Sequence, residues 1–292
     1  IKQRNYSKTD VAKLSKLLLP SVVARNINII PDGFLNYLPF EILEVSNSKH
    51  PIINQSSVSY AYSLPMWLQT QGKSHHKKSN LLAVAPNYSS TVGNGARNSL
   101  KKLPFAEKES AAVASLFDGK QITGLHATKS AFLEELNSHS IFHLAMHAQV
   151  VEDAFEESCL YFQNNQKLYF SDLYRLNFPA KLVVLSACET GTGSIKSGEG
   201  VMSLSRALTY AGVESAVVSL WQVPDKETSE IMIAFYEYLK QGSDKSEALA
   251  LAKRDFLRNN PMKNDPYYWA GFIVSGADTP VVRKAEYWQI FV

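Results

Sequence analysis

Two cysteines, Cys159 and Cys188, are all that this 292-residue chain carries. So small a number excludes a disulfide framework and makes a reducing, cytoplasmic compartment the expectation. Excess charge is scarce too. Lys and Arg total 30 against 27 Asp and Glu, a formal net of +3, and no basic stripe accompanies it, which argues against nucleic acid or an acidic membrane as partner. No uninterrupted run of about 18 apolar residues is present to span a bilayer, and no secretory signal opens the chain. No repeat with a period of roughly 20 to 50 residues shows, so the segment is not a solenoid. The chain starts "IKQRNYSKTD" without methionine and stops at "AEYWQIFV". It reads as part of a longer protein, with the aromatic end as a docking edge rather than the start of a membrane anchor.

What is present is an ordinary globular composition, 45% hydrophobic and 20% charged. Residues 1–75 form a lead-in: a helix in "SKTDVAKLSKLLLP" stopped by Pro20, a hairpin-like signal in "NINIIPDGFLNYLPFEIL", and a strand in "SVSYAYSLPMWLQ". "TQGKSHHKKSN" (70–80) is a polar connector. Strand and helix then alternate. Apolar runs at "NLLAVAP", "KQITG", "SIFHLAMHAQV", "AKLVVLSAC", "VESAVVSLWQV" and "YYWAGFIVSG" are separated by helical patterns. Thr128 is placed to cap the helix of "ATKSAFLEELNS", Gly212 to stop that of "GEGVMSLSRALTYAG", and "CLYFQNNQKLYF" predicts a hairpin around Asn164 and Asn165. Continuous apolar strands alternating with helices predict an α/β fold with a mostly parallel sheet covered on both faces. Such sheets hold their sites at the carboxyl ends of the strands.

Three of those ends carry chemistry: His147 in "HLAMHAQ", Cys188 in "LSACET" and Asp225 in "LWQVPDKE". Neighbouring strands lie about 4.8 Å apart, so residues at equivalent ends fall within side-chain reach. An imidazole beside a thiol raises its thiolate fraction and can return the proton to a leaving amine. Backbone N–H groups of Cys188 and of the loop after His147 can hold the oxyanion, and the glycines of "GTGSIKSGEG" permit close approach of a substrate backbone. Asp225 can either cap the following helix or floor a pocket for Lys or Arg. Other templates fail. "HLAMH" lacks the glutamate of a zinc helix, and on a strand His143 and His147 stand roughly 13 Å apart. "GSIKSGEG" lacks the lysine of a phosphate loop, and no Gly-x-Ser-x-Gly elbow occurs. Cys159 reads as structural.

"FHLAMHAQ", "LVVLSACETGTG…GEGVMSLSRALTYAGVESAVVSLWQVPD" and "PYYWAGFIVSG" together resemble the CHAT domain, a caspase-like family of cysteine peptidases often joined to tetratricopeptide repeats and related to separase. "IIPDGFLNYLPFEIL", "LPFAEKE" and "ATKSAFLEEL" extend the resemblance over nearly the whole chain. It implies a caspase-like three-layer α/β fold, with 1–75 as a smaller degenerate half-domain beside a peptidase domain at 76–292. It implies His147 as general base, Cys188 as nucleophile, and Ala148 and Cys188 as oxyanion donors. Asp225 matches a separase position that accepts a basic residue before the scissile bond, so cleavage after Arg or Lys is expected. No cofactor or metal is called for. The family usually has glycine where Ala148 stands, which crowds that site while keeping its N–H. The resemblance further implies control by an upstream repeat region that senses a partner, and a bacterial defence role through an effector such as a gasdermin. Lys196, in the glycine loop, is a candidate self-cleavage site. The alternatives are a non-catalytic caspase-like scaffold and, more weakly, a nucleotide-binding module.

Overall fold

The computed structural model describes residues 7–20, 24–45, 50–70, 79–88, 100, 102–151, 155–186 and 200–282. Its strands are β1 (Asn26–Ile29), β2 (Ser57–Tyr60), β3 (Leu81–Pro86), β4 (Lys120–Gly124), β5 (Ile141–Leu144), β6 (Ala148–Gln149), β7 (Cys159–Tyr161), β8 (Lys167–Tyr169), β9 (Leu182–Leu185), β10 (Ser215–Ser219) and β11 (Phe272–Gly276). The helices are α1 (Lys8–Leu18), α2 (Leu64–Thr70), α3 (Ala106–Leu116), α4 (Lys129–Glu134), α5 (Phe170–Leu173), α6 (Gly200–Ala211), α7 (Asp225–Lys240), α8 (Lys245–Asn259) and α9 (Pro266–Trp269).

The apolar runs build one eight-stranded sheet in the order β1-β2-β11-β10-β9-β5-β3-β4. β4, β3, β5, β9 and β10 pair in parallel, β11 is antiparallel to β10, and β2, parallel to β1, joins the far side of β11. Every residue of β3, β5, β9, β10 and β11 is buried, the signature of a sheet covered on both faces. Successive residues of β5 show the two layers. Phe142 meets Phe132 of α4 and Phe178 edge to face, whereas His143 meets Glu109 of α3 and the ring of Tyr236 of α7.

Local chemistry sets several boundaries as expected. Thr128 accepts from Ala131 N and caps α4. Gly212, at φ +110°, ends α6. Asn164 and Asn165 take the left-handed conformation between β7 and β8, which pair antiparallel and with β6 make a second, three-stranded sheet. Elsewhere the structure departs from the pattern. The 26–43 stretch is not a hairpin: β1 is followed by 3₁₀ turns at Gly33–Tyr37 and Phe40–Ile42. Pro31 and Pro39 bracket the intervening chain and cannot donate to a return strand. The strand expected over 57–69 ends at Tyr60 and gives way to α2. The strand expected over 140–150 breaks after Leu144 and resumes as β6 in the other sheet. β11, the last strand in sequence, lies inside the sheet, between β2 and β10. The connector at 71–78, the glycine loop at 187–199 and the C-terminal 283–292 lie outside the described residues. Among the described residues no helix is long and apolar enough to cross a membrane.

Candidate functional site

The carboxyl ends of β3, β5, β9 and β10 share one edge of the sheet, and each delivers chain to it. β5 and β9 are in register through Leu144 opposite Leu185. His147 follows the first by three residues and Cys188 follows the second by three. Cys188 itself lies outside the described residues, which on this strand end at Ser186, whose N–H donates to Leu144 O (3.2 Å).

His147 is buried, at 2% exposure. Its main chain leaves the large sheet and is held from two directions. Its N–H donates to the Tyr88 hydroxyl (3.1 Å), and its carbonyl accepts from Tyr161 N (2.9 Å). Tyr88, two residues past β3, lays its ring against the imidazole with centroids 4.7 Å apart and planes at 49°. The same hydroxyl donates to Tyr161 O (2.6 Å). Burial pushes the Tyr88 phenol far above its ordinary range, so it keeps its proton. The next residue, Ala148, is paired opposite Leu160. With Tyr161 N already on His147 O, that pair is of the non-hydrogen-bonded kind, and the Ala148 N–H faces away from β7.

Asp225 is the first residue of α7, with Pro224 as N-cap, so it does not cap the helix. Its Oδ2 instead accepts from Phe105 N (2.8 Å), tying the start of α7 to the start of α3. The carboxyl is half-buried, and desolvation raises its pKa. The Phe105 N–H opposes that rise, the charge of Glu109 adds to it, and His147 works against it. Among the described residues Asp225 has no ion-pair partner. Glu109 lies deeper, with Oε1 2.9 Å from Nε2 of His143 and both side chains fully buried. Tyr236 completes this cluster, its ring centroid 5.3 Å from that of His143, with burial first and Glu109 second raising its phenol.

His147, Ala148 and Asp225 therefore share one edge, while Cys188 and Lys196 lie outside the described residues. His143 belongs to the core beneath that edge. Cys159 is buried in β7, and desolvation raises its thiol. Among the described residues no group of three or more His, Cys, Asp or Glu side chains could hold a metal ion. Tyr88, Phe105 and Glu109 escaped the sequence reading. The signal for Tyr88 was its place just past a buried strand, the same rule that located His147.

The CHAT domain profile matches residues 9–277. Tetratricopeptide repeat protein 28 is 26% identical in Homo sapiens and 25% in Mus musculus, each over 87% of this chain and 12% of the relative. The chain thus spans about an eighth of the length of the curated relatives it matches. Among solved structures, the Arg-specific cysteine proteinase gingipain R of Porphyromonas gingivalis superposes with a TM-score of 0.58 at 11% identity, covering 95% of this chain and 69% of that one. The Saccharomyces cerevisiae separase–securin complex gives 0.51 at 12% identity, covering 82% and 14%. These likenesses identify the fold as caspase-like, a fold shared with cysteine peptidases. With 9–277 matched, the chain belongs to the CHAT domain family.

Proposed function

We propose that this domain is a cysteine endopeptidase in which His147 activates Cys188 and Asp225 receives a basic side chain. The observation that carries the reading is the register of β5 and β9: His147 and Cys188 stand at the same offset beyond paired residues of adjacent strands. In this mechanism the Cys188 thiolate attacks the scissile carbonyl and the imidazolium of His147 protonates the leaving amine. Water then hydrolyses the thioester. The N–H groups of Ala148 and Cys188 hold the oxyanion. The outward turn of the Ala148 amide is consistent with this, and its methyl group leaves that N–H in place.

A preference for Arg or Lys rests on Asp225, a half-buried carboxylate with no cationic partner among the described residues. The structural likeness to an Arg-specific proteinase is in keeping with it. Residues 1–75 are read as the degenerate half-domain and 76–292 as the peptidase domain, joined through the β2–β11 contact. The repeat-protein relatives favour an upstream tetratricopeptide region as regulator. A defence role through cleavage of an effector such as a gasdermin is the pathway-level extension of the same activity, and Lys196 its candidate self-processing point.

Labelling with an arginine acyloxymethyl ketone tests the reading. The parent should be labelled at Cys188, and Cys188→Ala should not be labelled at all. Asp225→Asn should label at least about tenfold more slowly, from loss of a charge-assisted pairing. Equal labelling of parent and Cys188→Ala would favour the non-catalytic scaffold.

A further inference from the structure

His147 sits three residues beyond the last paired residue of β5, and a general base displaced by about 1 Å can lose about two orders of magnitude in rate. Something must fix it. A tyrosine hydroxyl has one proton to give and two lone pairs to receive. That of Tyr88 receives the His147 N–H and gives its proton to Tyr161 O, while Tyr161 N closes back onto His147 O. The three bonds form a loop through two chain segments, β7 and the exit of β5, with the aromatic residue as the link. The ring lies against the imidazole, at 8% exposure itself. Two residues past the end of β7, Gln163 reaches the same exit of β3, its Oε1 accepting from Asn87 N (3.1 Å).

We infer that Tyr88 is the positioning residue of this site: its hydroxyl fixes the main chain that presents His147 and Ala148, and its ring fixes the plane of the imidazole. The assignment rests on the peptidase reading above. Tyr88 does not touch the reacting atoms and acts through His147. Because burial keeps the phenol protonated, the clamp stays closed over the whole range in which a thiolate peptidase works.

Tyr88→Phe keeps the ring and deletes the link, whereas Tyr88→Leu deletes both. With an arginine-based fluorogenic peptide, kcat should fall about tenfold in Tyr88→Phe and about 100-fold in Tyr88→Leu, with KM within about twofold of the parent. Two signals independent of turnover accompany this. Hydrogen exchange at the His147 amide should quicken at least about tenfold in Tyr88→Phe. The imidazole ¹H–¹⁵N correlations of His147, assigned by their loss in His147→Ala, should shift or broaden in Tyr88→Leu. These two signals decide the clamp even where no peptide is turned over. Unchanged exchange and unchanged imidazole signals in both variants would overturn the assignment. So would a rise in KM at constant kcat, which would mark a pocket-wall role. Should His147→Ala retain the parent's turnover, the peptidase reading itself falls, an outcome separate from failure of the clamp.

Discussion

Lys253→Met should be among the most damaging single substitutions in this domain. Lys253 on α8 is 1% exposed, and its Nζ lies 2.8 Å from Glu41 Oε1 and 2.6 Å from Phe272 O. Glu41, 2% exposed, accepts on Oε2 from the Tyr60 hydroxyl at 2.8 Å, and that hydroxyl accepts from Phe40 N at 2.8 Å. Burial first and the Glu41 charge second raise the Tyr60 phenol well above its usual range, so it remains a donor. Within this chain of contacts the lysine supplies the charged partner of Glu41, on Oε1, while Oε2 is served by the neutral Tyr60 hydroxyl. Removing it leaves a carboxylate buried with one neutral donor, which costs about 3–5 kcal/mol. At about 2–4 °C per kcal/mol for a domain of this size or a little smaller, the midpoint should drop by roughly 6–20 °C. Urea unfolding followed by fluorescence of the four tryptophans reads the free energy. Glu41→Leu combined with Lys253→Met should recover much of the loss, since a buried pair replaced on both sides is close to neutral. A Lys253→Met loss below about 1 kcal/mol, or two single losses that simply add in the double variant, would refute the reasoning. It would also mean that the N-terminal segment holding Glu41 is not anchored to the sheet by this pair.

Two further expectations concern the part of the molecule around the end of β11. Lys245 is buried, donates to Ala277 O at 3.0 Å, and has its pKa lowered to about 8, first by desolvation; Glu214, Asp278 and Asp244 offset part of this, and Lys181 adds to it. An unfolded lysine titrates near 10.4, so between about pH 8 and 10 the unfolded chain holds the proton that the folded chain releases. Stability owed to this residue should therefore rise with pH across that window, by up to about 3 kcal/mol. The difference in unfolding free energy between the parent and Lys245→Met isolates it, and a difference flat with pH would contradict the linkage. Gly276→Ala should cost about 3 kcal/mol, because φ is +103° and the added Cβ would lie 2.4 Å from Glu214 O. A calorimetric midpoint within 2 °C of the parent would show that the backbone there yields.

What the sequence revealed and what it hid divide along a physical line. The Thr128 cap, the Gly212 stop and the Asn164–Asn165 turn depend on residues within a few positions, and each appears where its chemistry requires. The buried strands were legible because β3, β5, β9 and β10 are apolar on both faces. The 26–43 stretch misled because a Pro-Asp-Gly turn is local evidence, whereas the partner β1 takes is β2, beginning at Ser57. Nothing near residue 60 announces that β2 will join β11. The same holds at the site. Strand-end logic brought His147 and Asp225 to one edge, but the tie of Asp225 to Phe105 needs α3 and α7 to start side by side. The stack of Tyr88 on His147 needs β3 to be the neighbour of β5 opposite β9. Pairwise strand order is a tertiary fact, whereas the helix-cap alternative for Asp225 failed locally, because α7 begins at that residue with Pro224 as its N-cap.

The electrostatics beneath the edge give the proposed specificity a physical basis that the single carboxylate would not. Asp225 stands at the positive end of the α7 dipole, receives a backbone N–H from Phe105 and lies near His147, all of which favour its charge. Desolvation and the nearby Glu109 disfavour it more, and the balance is a raised pKa. Glu109 is itself occupied with His143 and fully buried, so it cannot turn outward to accept a ligand. The unspent demand for positive charge thus falls on Asp225. A guanidinium or ammonium arriving there would relieve a repulsion already present in the free protein, and would gain more than at an exposed aspartate. Neutralising Glu109 as Glu109→Gln would ease that repulsion and weaken the pull on a basic side chain, even though residue 109 never meets the substrate.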